Sequence, residues 1–376
     1  MKKLWRGRKD NFLLVQEAYR VAGLCVEYYG ALRIRAFFQA LRFTRETKMR
    51  PMEALEYGAF SSDARQHSDY LSKRTCSALQ ARLNPQDWFW VTEDKGIFQS
   101  LCDAKAIPTP GCLALLFRDS PGVSSGLPVP PTKSAWAEAI SQFDLDKIVI
   151  KPCRHSYGRG LLVPLLREGR IESGNIKFDS VQELANYMFA LPELTSWIIQ
   201  ERIQSHFALS ELSGTKHLQT IRIYTHVDKN GKIFIVDAFL KVIGGDAAID
   251  NFQNGSLGNF IAPIDIDSGQ LKSAITRSPN MLWYRLDVHP RTKRTFQEFT
   301  IPLWEDAKEL VIKSAEHFKP IRSLGWDVAI TENGPVVIET NIRWDPPNWN
   351  SETIYNVRNV LENPDGVFAK PSGGKG

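Results

Sequence analysis

Residues 325–341 read GWDVAITENGPVVIETN, and this stretch decides the fold. Apolar runs on both sides of 332–334 predict a β-hairpin that turns at those residues. Asp327 lies in the first strand, and Glu339 and Asn341 lie two apart at the end of the second, so the last two share a face. Two carboxylates and an amide oxygen are hard ligands suited to Mg²⁺. The alternative is that these are solvent-facing acids at strand ends.

The composition is that of a folded protein without membrane spans. The 376 residues allow two or three domains, and a 43% hydrophobic fraction with ten Trp and 20 Phe excludes global disorder. No apolar run reaches the ~18 residues that span a bilayer, and the basic start lacks the apolar segment of a secretory signal. The five cysteines are scattered without a CxxC pair, which favours reduced thiols in a cytoplasmic protein.

Positive charge is concentrated at the N-terminus. Residues 1–50 carry 12 Lys and Arg against four Asp and Glu, whereas the remainder carries 35 against 38. The nearly neutral body argues against nucleic-acid binding. Residues 32–43 (LRIRAFFQALRF) alternate arginines with bulky apolar side chains. Two interpretations stay open: peripheral contact with the inner membrane surface or a docking partner, or a solvated basic helix that packs its Phe residues on its own body.

The chain divides into four predicted segments. Residues 1–84 are basic and helical in pattern, with a helix expected over 11–50. Residues 85–203 and 204–362 each mix helical and strand patterns, and we expect two α+β domains. Residues 363–376 are expected to form a disordered tail.

A lysine at the end of a buried strand precedes a glycine loop. The strand at 147–151 ends in Lys151, which can meet an α-phosphate while loop amides fold onto the β- and γ-phosphates. We expect residues 161–163 to return beside that strand. The loop lacks the Walker A and Rossmann spacings, so the alternative is an ordinary hairpin loop. The loop residues of interest are Tyr157, Gly158, Arg159 and Gly160.

Two further features are weak signals on their own. Lys95 lies on a helix predicted at 92–106 with Thr92 as its N-cap, and it would add a second cation for phosphate, although a solvated lysine is the commoner case. The apolar strand at 197–203 could offer backbone groups to an adenine edge, or simply be a strand end. Its polar end consists of Gln200, Glu201, Arg202 and Ile203.

The order of these features resembles that of the ATP-grasp superfamily. Residues 94–110 (DKGIFQSLCDAKAIPTP) resemble its lysine helix and the turn that follows, and residues 149–161 (VIKPCRHSYGRGL) resemble its small phosphate loop. The hairpin at 325–341 closely resembles its metal-binding end. The resemblance covers roughly residues 85–350.

Within that superfamily, the chain is most similar to the sugar-transfer-associated ATP-grasp proteins, which resemble α-L-glutamate ligases. The segments LQTIRIYTH at 218–226 and DNFQNGSLGN at 250–259 carry this closer likeness, together with the hairpin. The helical N-terminal region departs from the superfamily, whose members often begin with a small α/β domain. We expect this region to belong to an acceptor site, a dimer interface or a membrane-surface arm.

The resemblance implies an ATP-grasp fold in which two α+β subdomains sandwich ATP. By that resemblance, Lys95, Lys151 and the loop at 157–160 bind the phosphates, and residues 200–203 form the adenine hinge. The metal set of Asp327, Glu339 and Asn341 would hold one or two Mg²⁺.

One position departs from the superfamily pattern. In D-alanine–D-alanine ligase an arginine that stabilises the acyl phosphate precedes the metal-binding aspartate by two residues, and here that position is Gly325. The candidates for the missing cation are Arg222, Lys241 and Arg343, although Arg222 could instead be a structural ion pair and Arg343 a loop anchor.

The resemblance implies an ADP-forming ligase that activates a carboxylate as an acyl phosphate for an amine or a thiol. Its small-molecule substrates would be of sugar or amino-acid type, in polysaccharide or natural-product biosynthesis. An ATP-grasp kinase that phosphorylates a hydroxyl is the alternative, and a non-catalytic nucleotide-binding protein is a third. Among these we favour the ligase, because no base is evident beside Arg222.

Overall fold

The computed structural model describes the chain in one nearly continuous stretch. The residues described are 2–366, with gaps at 63, 156–158, 246–248, 256 and 280–281. The expected tail therefore lies mostly outside the described residues, and so do Tyr157 and Gly158 of the loop.

The N-terminal region is helical, as predicted. Its helices are α1 (Lys2–Tyr29), α2 (Arg33–Thr47), α3 (Pro51–Glu56) and α4 (Lys73–Leu83). The expected helix over 11–50 is broken in two, because Gly30 takes a φ of +65°, which ends α1 and lets the chain turn back into α2. Ala18, Val21 and Phe43 lie in the apolar core between these helices.

The outer face of α2 combines apolar and basic side chains. Leu32 is 73% exposed and Ile34 is 71% exposed, with Arg33 and Arg35 beside them, whereas Phe43 is buried. The buried Phe43 agrees with a helix that packs on its own body, and the exposed Leu32 and Ile34 agree with a docking or membrane-surface helix. Peripheral membrane contact stays a prediction. Among the helices described, none has the length and apolar character needed to cross a membrane.

The first large sheet has five antiparallel strands. They are β1 (Cys112–Phe117), β2 (Gly122–Ser124), β3 (Leu127–Val129), β4 (Ile148–Pro152) and β8 (Ser196–Glu201), in the order β3-β2-β1-β8-β4. The return strand expected at 161–163 is reduced to one bridge between Ile150 and Leu162. The longer partner of β4 is β8, on its other edge, and residues Trp197–Gln200 of β8 are all buried, which suits a central strand.

A small sheet and four helices complete this part of the chain. The sheet contains β5 (Leu165–Arg167), β6 (Arg170–Ser173) and β7 (Ile176–Phe178). The helices are α5 (Phe89–Glu93), α6 (Lys95–Ala104), α7 (Lys133–Ser141) and α8 (Val181–Ala190). The helix expected at 92–106 therefore begins later, at Lys95. Asp94, not Thr92, is its N-cap and accepts hydrogen bonds from the backbone of Gly96 and Ile97.

The second large sheet has seven strands in the order β13-β12-β11-β10-β9-β14-β15. They are β9 (Thr220–Val227), β10 (Ile233–Val242), β11 (Phe260–Pro263), β12 (Ala274–Arg277), β13 (Trp283–Leu286), β14 (Ser323–Thr331) and β15 (Gly334–Asn341). Helices α9 (Phe207–Ser213), α10 (Trp304–Ala315) and α11 (Ser351–Glu362) belong to the same half. The hairpin predicted at 325–341 is confirmed as β14 and β15.

Strand alternation places the charged side chains of this sheet on one face. The apolar core contains Trp326 and Val328 of β14 and Ile221 and Ile223 of β9. The residues between them, such as Arg222 and Asp327, must point to the opposite face, because successive side chains alternate. Arg222 and Asp327 are also direct cross-strand neighbours in the pairing of β9 with β14. The sheet thus delivers its charges to one surface.

A buried carboxyl that α11 covers makes the stability of the fold depend on pH. Asp237 lies at a β-bulge in β10, is 6% exposed, and approaches Asn356 of α11. Burial raises its pKa to about 6, although bonds from Thr353, the Ala238 amide and Asn356 oppose this. The folded state therefore binds the proton more tightly than the unfolded chain, whose pKa is about 3.9. The contribution of Asp237 to stability is therefore largest at low pH and declines as pH rises from about 4 through 6.

We expect Asp237→Asn to remove this dependence. Relative to the variant, the native protein should lose about 1 kcal/mol of unfolding free energy between pH 5 and 7.5. Urea denaturation of both proteins at the two pH values measures this difference. Parallel pH profiles for the two proteins would show that the carboxyl of Asp237 titrates normally.

Candidate active site

A cavity of about 760 Å³ collects most of the residues singled out in the sequence. Its walls come from β4 and β8 of the first sheet, from β9, β10, β14 and β15 of the second, and from the helical N-terminal region. The predicted site residues that line it are Lys95, Lys151, Arg159, Glu201, Arg202, Ile203, Arg222, Lys241, Asp327, Glu339, Asn341 and Arg343.

Asp327 is the centre of a buried ion-pair network. It is 3% exposed. Arg222 donates to both of its oxygens, from Nε to Oδ1 at 2.6 Å and from a terminal nitrogen to Oδ2 at 3.0 Å. Lys241 Nζ lies 3.0 Å from Oδ1. Burial alone would raise the pKa of Asp327, but the two cations outweigh it and hold that pKa well below its usual range.

Arg222 lies beside Gly325, the position at which the superfamily pattern has an arginine. A Cβ built at Gly325 would lie 3.4 Å from Cδ of Arg222 and 3.3 Å from the ring of Trp344. The aliphatic stem of Arg222 therefore lies beside the bare backbone of Gly325, at the contact distance of a Cβ placed there. The neighbouring strand β9 thus supplies a guanidinium to the surface beside Gly325.

Glu339 is the centre of a second, more open cluster. It is the direct cross-strand neighbour of Asp327. Lys95 Nζ lies 3.5 Å from its Oε2, and the side chain of Glu339 is 33% exposed. Lys151 lies close enough to feel both charges: burial lowers its pKa to about 8, Glu339 opposes that shift, and Lys95 adds to it. Two lysines therefore lie near one carboxylate in the cavity.

The first turn of α6 and the glycine loop are fastened to each other. Lys95 Nζ donates to the carbonyl of His155 at 2.9 Å, and the Lys95 amide donates to the carbonyl of Cys153 at 2.9 Å. Arg154 Nε donates to Asp94 at 2.6 Å. The side chain that caps α6 thus also holds the start of the loop.

The far end of the loop requires glycine at position 160. Gly160 has a φ of +75°, and a Cβ there would lie 2.8 Å from both Leu194 and Pro152. Arg159 pairs with Glu193 at 2.5 Å across an exposed surface. Of the four predicted loop residues, these two are described, and Arg159 lines the cavity.

Three of the four predicted hinge residues reach the cavity. Glu201, Arg202 and Ile203 line it, but Gln200 does not. Gln200 is buried and donates to Gln99 Oε1 at 2.8 Å, because the strand alternation turns it towards α6.

Arg343 is held away from Asp327. Its guanidinium lies 4.8 Å from the ring centre of Phe89 and donates to Gln86 Oε1 at 3.1 Å. It lines the cavity from the side of α5. Of the three candidate cations, the structure brings Arg222 and Lys241 together at Asp327 and places Arg343 elsewhere.

Sequence reasoning missed three groups in the cavity. Asp250 Oδ2 accepts hydrogen bonds from the amide and the hydroxyl of Thr220, at 2.7 and 2.5 Å. Glu93 lies near Lys95, and burial raises the pKa of both Asp250 and Glu93. Tyr57 enters from the end of α3. Asp250 begins the segment DNFQNGSLGN, whose family likeness was a sequence signal for it. No sequence motif pointed to Glu93 or Tyr57.

A sequence profile described as sugar-transfer associated ATP-grasp matches residues 74–357. The chain belongs to the sugar-transfer associated ATP-grasp family. Its α+β architecture of two large sheets around a shared cavity is accordingly an ATP-grasp fold, as the sequence resemblance predicted. The match begins within α4, so most of the helical N-terminal region precedes the family's common part.

Solved structures of low sequence identity also align with this ATP-grasp chain. An ADP complex of N5-carboxyaminoimidazole ribonucleotide synthetase is 12% identical, with a TM-score of 0.42, over 78% of this chain and 59% of that one. Biotin carboxylase from Campylobacter jejuni is 12% identical, with a TM-score of 0.38, over 72% of this chain and 46% of that one. D-alanyl-alanine synthetase A from Vibrio cholerae is 13% identical, with a TM-score of 0.36, over 73% and 66%. This chain thus spans less than two thirds of each of these structures. No match was found among curated proteins.

The residues at the end of the hairpin fit the divalent cation that ATP-grasp enzymes typically use. Asp327, Glu339 and Asn341 supply only oxygen ligands from one end of the hairpin, and in this structure both oxygens of Asp327 are paired with Arg222 and Lys241. The Nδ2 of Asn341 is buried and has no hydrogen-bond partner among the described residues. The side-chain amide of Asn341 can be flipped so that its Oδ1 occupies the position of Nδ2. The set holds two carboxylates, and the described residues contain no cluster of three or more His, Cys, Asp or Glu side chains that could bind a metal.

Proposed function

We propose that this chain is an ATP- and Mg²⁺-dependent ligase that joins a carboxylate to an amine and releases ADP. The observation that carries the proposal is Arg222, whose guanidinium lies against Asp327 and whose stem lies beside Gly325. A ligase of this type needs a fixed cation beside the metal-binding carboxylate, and here the neighbouring strand supplies it. The family's description as sugar-transfer associated supports a substrate of sugar or amino-acid type in polysaccharide or natural-product biosynthesis.

In the proposed reaction, the chain's own residues orient and neutralise the reacting groups. Lys95 and Lys151 would hold the phosphates of ATP, because both project into the cavity near Glu339. Mg²⁺, held by Asp327, Glu339 and Asn341, would supply positive charge to the terminal phosphates. Arg222 and Lys241 would bind the carbonyl oxygen as it gains negative charge during attack by the amine. The substrate carboxylate attacks the γ-phosphorus and releases ADP, and the amine then displaces phosphate from the acyl carbon.

Trapping with hydroxylamine tests this proposal. We would incubate the protein with ATP, Mg²⁺, hydroxylamine and a pool of carboxylates that includes amino acids and uronic acids. We expect ADP together with a hydroxamate, whose mass identifies the acid. ADP without a hydroxamate in any pool would contradict an acyl phosphate.

Asp250 favours a second candidate, the kinase that phosphorylates a hydroxyl. A kinase needs a carboxylate that can accept the hydroxyl proton, and Asp250 lies in the cavity with a pKa raised by burial. Asp327 cannot take that role while two cations neutralise it. In the trapping assay the kinase would yield ADP and a stable phosphate ester.

We place the reaction in the cytoplasm. The five cysteines are free, and four of them are buried, which suits a reducing compartment.

A further inference from the structure

The cavity has a second end whose chemistry differs from that of the phosphate end. Two residues beyond Arg222 on the same face of β9, about 7 Å along the strand, lies Tyr224. Its ring centre is 4.5 Å from that of Trp344 and 6.0 Å from that of Phe239. Phe239 in turn lies 4.9 Å from Trp349. An aromatic wall therefore begins where the cationic cluster at Asp327 ends.

The helical N-terminal region closes this end of the cavity. Tyr57 follows α3, lines the cavity and stacks on Trp283 of β13 at 6.1 Å. Trp283 Nε1 donates to the carbonyl of Glu56 at 2.9 Å, which fastens the N-terminal region to the second sheet. Tyr57 is 5% exposed, so its ring is fixed. Among the uses expected for this region, the placement supports a wall of the acceptor site.

The charges around Tyr57 are mainly negative. Burial raises the pKa of Tyr57, and the carboxylates of Asp345, Glu53 and Glu56 raise it further. Two cations lie among these acids. Lys73 pairs with Asp345 at 3.0 Å, and Arg277 donates to the Glu56 carbonyl at 3.2 Å.

The ion pair between Lys73 and Asp345 is exposed to solvent. Both side chains are more than 40% exposed, at 43% for Lys73 and 48% for Asp345. A pair of that exposure is worth at most about 1 kcal/mol, so its rearrangement costs little free energy. Both residues line the cavity, and a cation inside it can compete for the same carboxylate.

We propose that this aromatic, acidic end of the cavity binds an organic ammonium group, held by the ring of Trp349 and by the carboxylate of Asp345. Aromatic faces attract cations, and the attraction is strongest where water is excluded. A carboxylate at the rim adds charge complementarity. The phosphate end of the cavity repels the same ammonium group, because it carries Lys95, Lys151, Arg222 and Lys241. The two ends therefore favour substrates of opposite charge. Naming that group as the amine substrate rests on the proposed function, whereas the cation site itself does not.

Binding of choline to the full-length protein, measured by calorimetry without ATP, tests the proposal. Choline carries a charge that pH cannot remove, and 3,3-dimethylbutan-1-ol is its uncharged analogue of the same shape. We expect choline to bind at least about tenfold more tightly than the alcohol. Equal binding of the two, or no binding of choline, would overturn the proposal.

Two variants separate the charge of Asp345 from its ion pair. Asp345→Asn and Lys73→Met remove the same ion pair, but only the first removes negative charge from the cavity. We expect Asp345→Asn to weaken choline binding about tenfold and Lys73→Met to leave it equal or tighter. Equal losses in both variants would show a merely structural role for the pair and overturn the proposal.

A third variant tests the aromatic face without changing charge. Trp349→Leu keeps an apolar side chain but removes the ring. We expect it to weaken choline binding while binding of the alcohol is unchanged, and thermal melting of each variant confirms that it is folded. Unchanged choline binding in this variant would remove Trp349 from the site. Because choline binding needs neither ATP nor turnover, these results stand apart from the outcome of the hydroxylamine assay.

Discussion

Glu339→Gln is expected to reduce ADP formation at least about a hundredfold while the protein stays folded. The variant keeps the shape of the side chain but removes the charge that faces Lys95 at 3.5 Å. It thereby removes one of the two carboxylates proposed to hold Mg²⁺. Of the two carboxylates that oppose the lowering of the Lys151 pKa by burial, Glu339 and Asp250, it also removes the one with the larger effect. ADP release under saturating ATP and Mg²⁺ measures the loss.

A matched control separates this effect from a general loss of surface charge. Glu309→Gln removes a carboxylate from the exposed face of α10, where Glu309 pairs with Lys313 four residues on. We expect it to leave both ADP formation and thermal melting unchanged. A second readout is nucleotide affinity with and without Mg²⁺, which should differ in the native protein and coincide in Glu339→Gln. Full ADP formation by a folded Glu339→Gln variant would contradict the metal assignment.

Arg222→Met is expected to cost both stability and activity. Asp327 is 3% exposed, and the substitution leaves it with Lys241 as the one cation that pairs with it in the described structure. Removing one partner of a buried pair exposes the other to an uncompensated burial cost, here about 3 kcal/mol of unfolding free energy. Loss of the proposed oxyanion contact should lower kcat about a hundredfold or more. Arg294→Met, at an exposed pair with Glu211, is the control and should cost under about 1 kcal/mol.

The double variant Arg222→Met with Asp327→Asn separates the two effects. Neutralising Asp327 removes the buried charge, so the double variant should recover most of the stability lost in Arg222→Met. It should recover no activity, because both the cation and a metal ligand are then missing. Urea denaturation and ADP release on the same preparations measure this. An Arg222→Met protein with native stability and native kcat would show that the contact with Asp327 serves neither purpose.

The hairpin at 325–341 shows what the sequence can predict. Its turn, its two apolar runs and the shared face of Glu339 and Asn341 all follow from local pattern, and the structure has them as β14 and β15. The same alternation accounts for Arg222 facing the cavity. Local pattern succeeds here because the hairpin partners are neighbours in the chain.

Predictions that depended on distant partners were less successful. The segment expected at 161–163 does return beside β4, but only as the single bridge between Leu162 and Ile150, whereas β8, some 45 residues after β4, pairs along the other edge of β4. The helix start was misplaced because Thr92 and Asp94 are both good capping residues, but Thr92 belongs to the preceding helix α5 and Asp94 accepts the capping hydrogen bonds. The periodic pattern of apolar residues does not show which of several distant segments a strand or helix end will contact.

The cavity wall from the N-terminal region could not be predicted for the same reason. Tyr57 has no motif around it, and its place depends on stacking with Trp283, more than 200 residues later. The pairing of Arg222 with Asp327 likewise requires the register between β9 and β14, which the sequence alone does not reveal. The sequence thus predicted which residue types the site needs, whereas their partners required the fold.

The most direct test of the ligase proposal follows one oxygen atom. We would supply the carboxylate identified by hydroxylamine trapping with both oxygens labelled with ¹⁸O, together with ATP, Mg²⁺ and the amine, and measure the mass of the released phosphate. If the carboxylate attacks the γ-phosphorus and the amine then breaks the bond between the acyl carbon and the bridging oxygen, one ¹⁸O must leave with the phosphate. The proposal predicts singly labelled phosphate in amounts equal to ADP. Unlabelled phosphate, or phosphate retained in an ester, would contradict it.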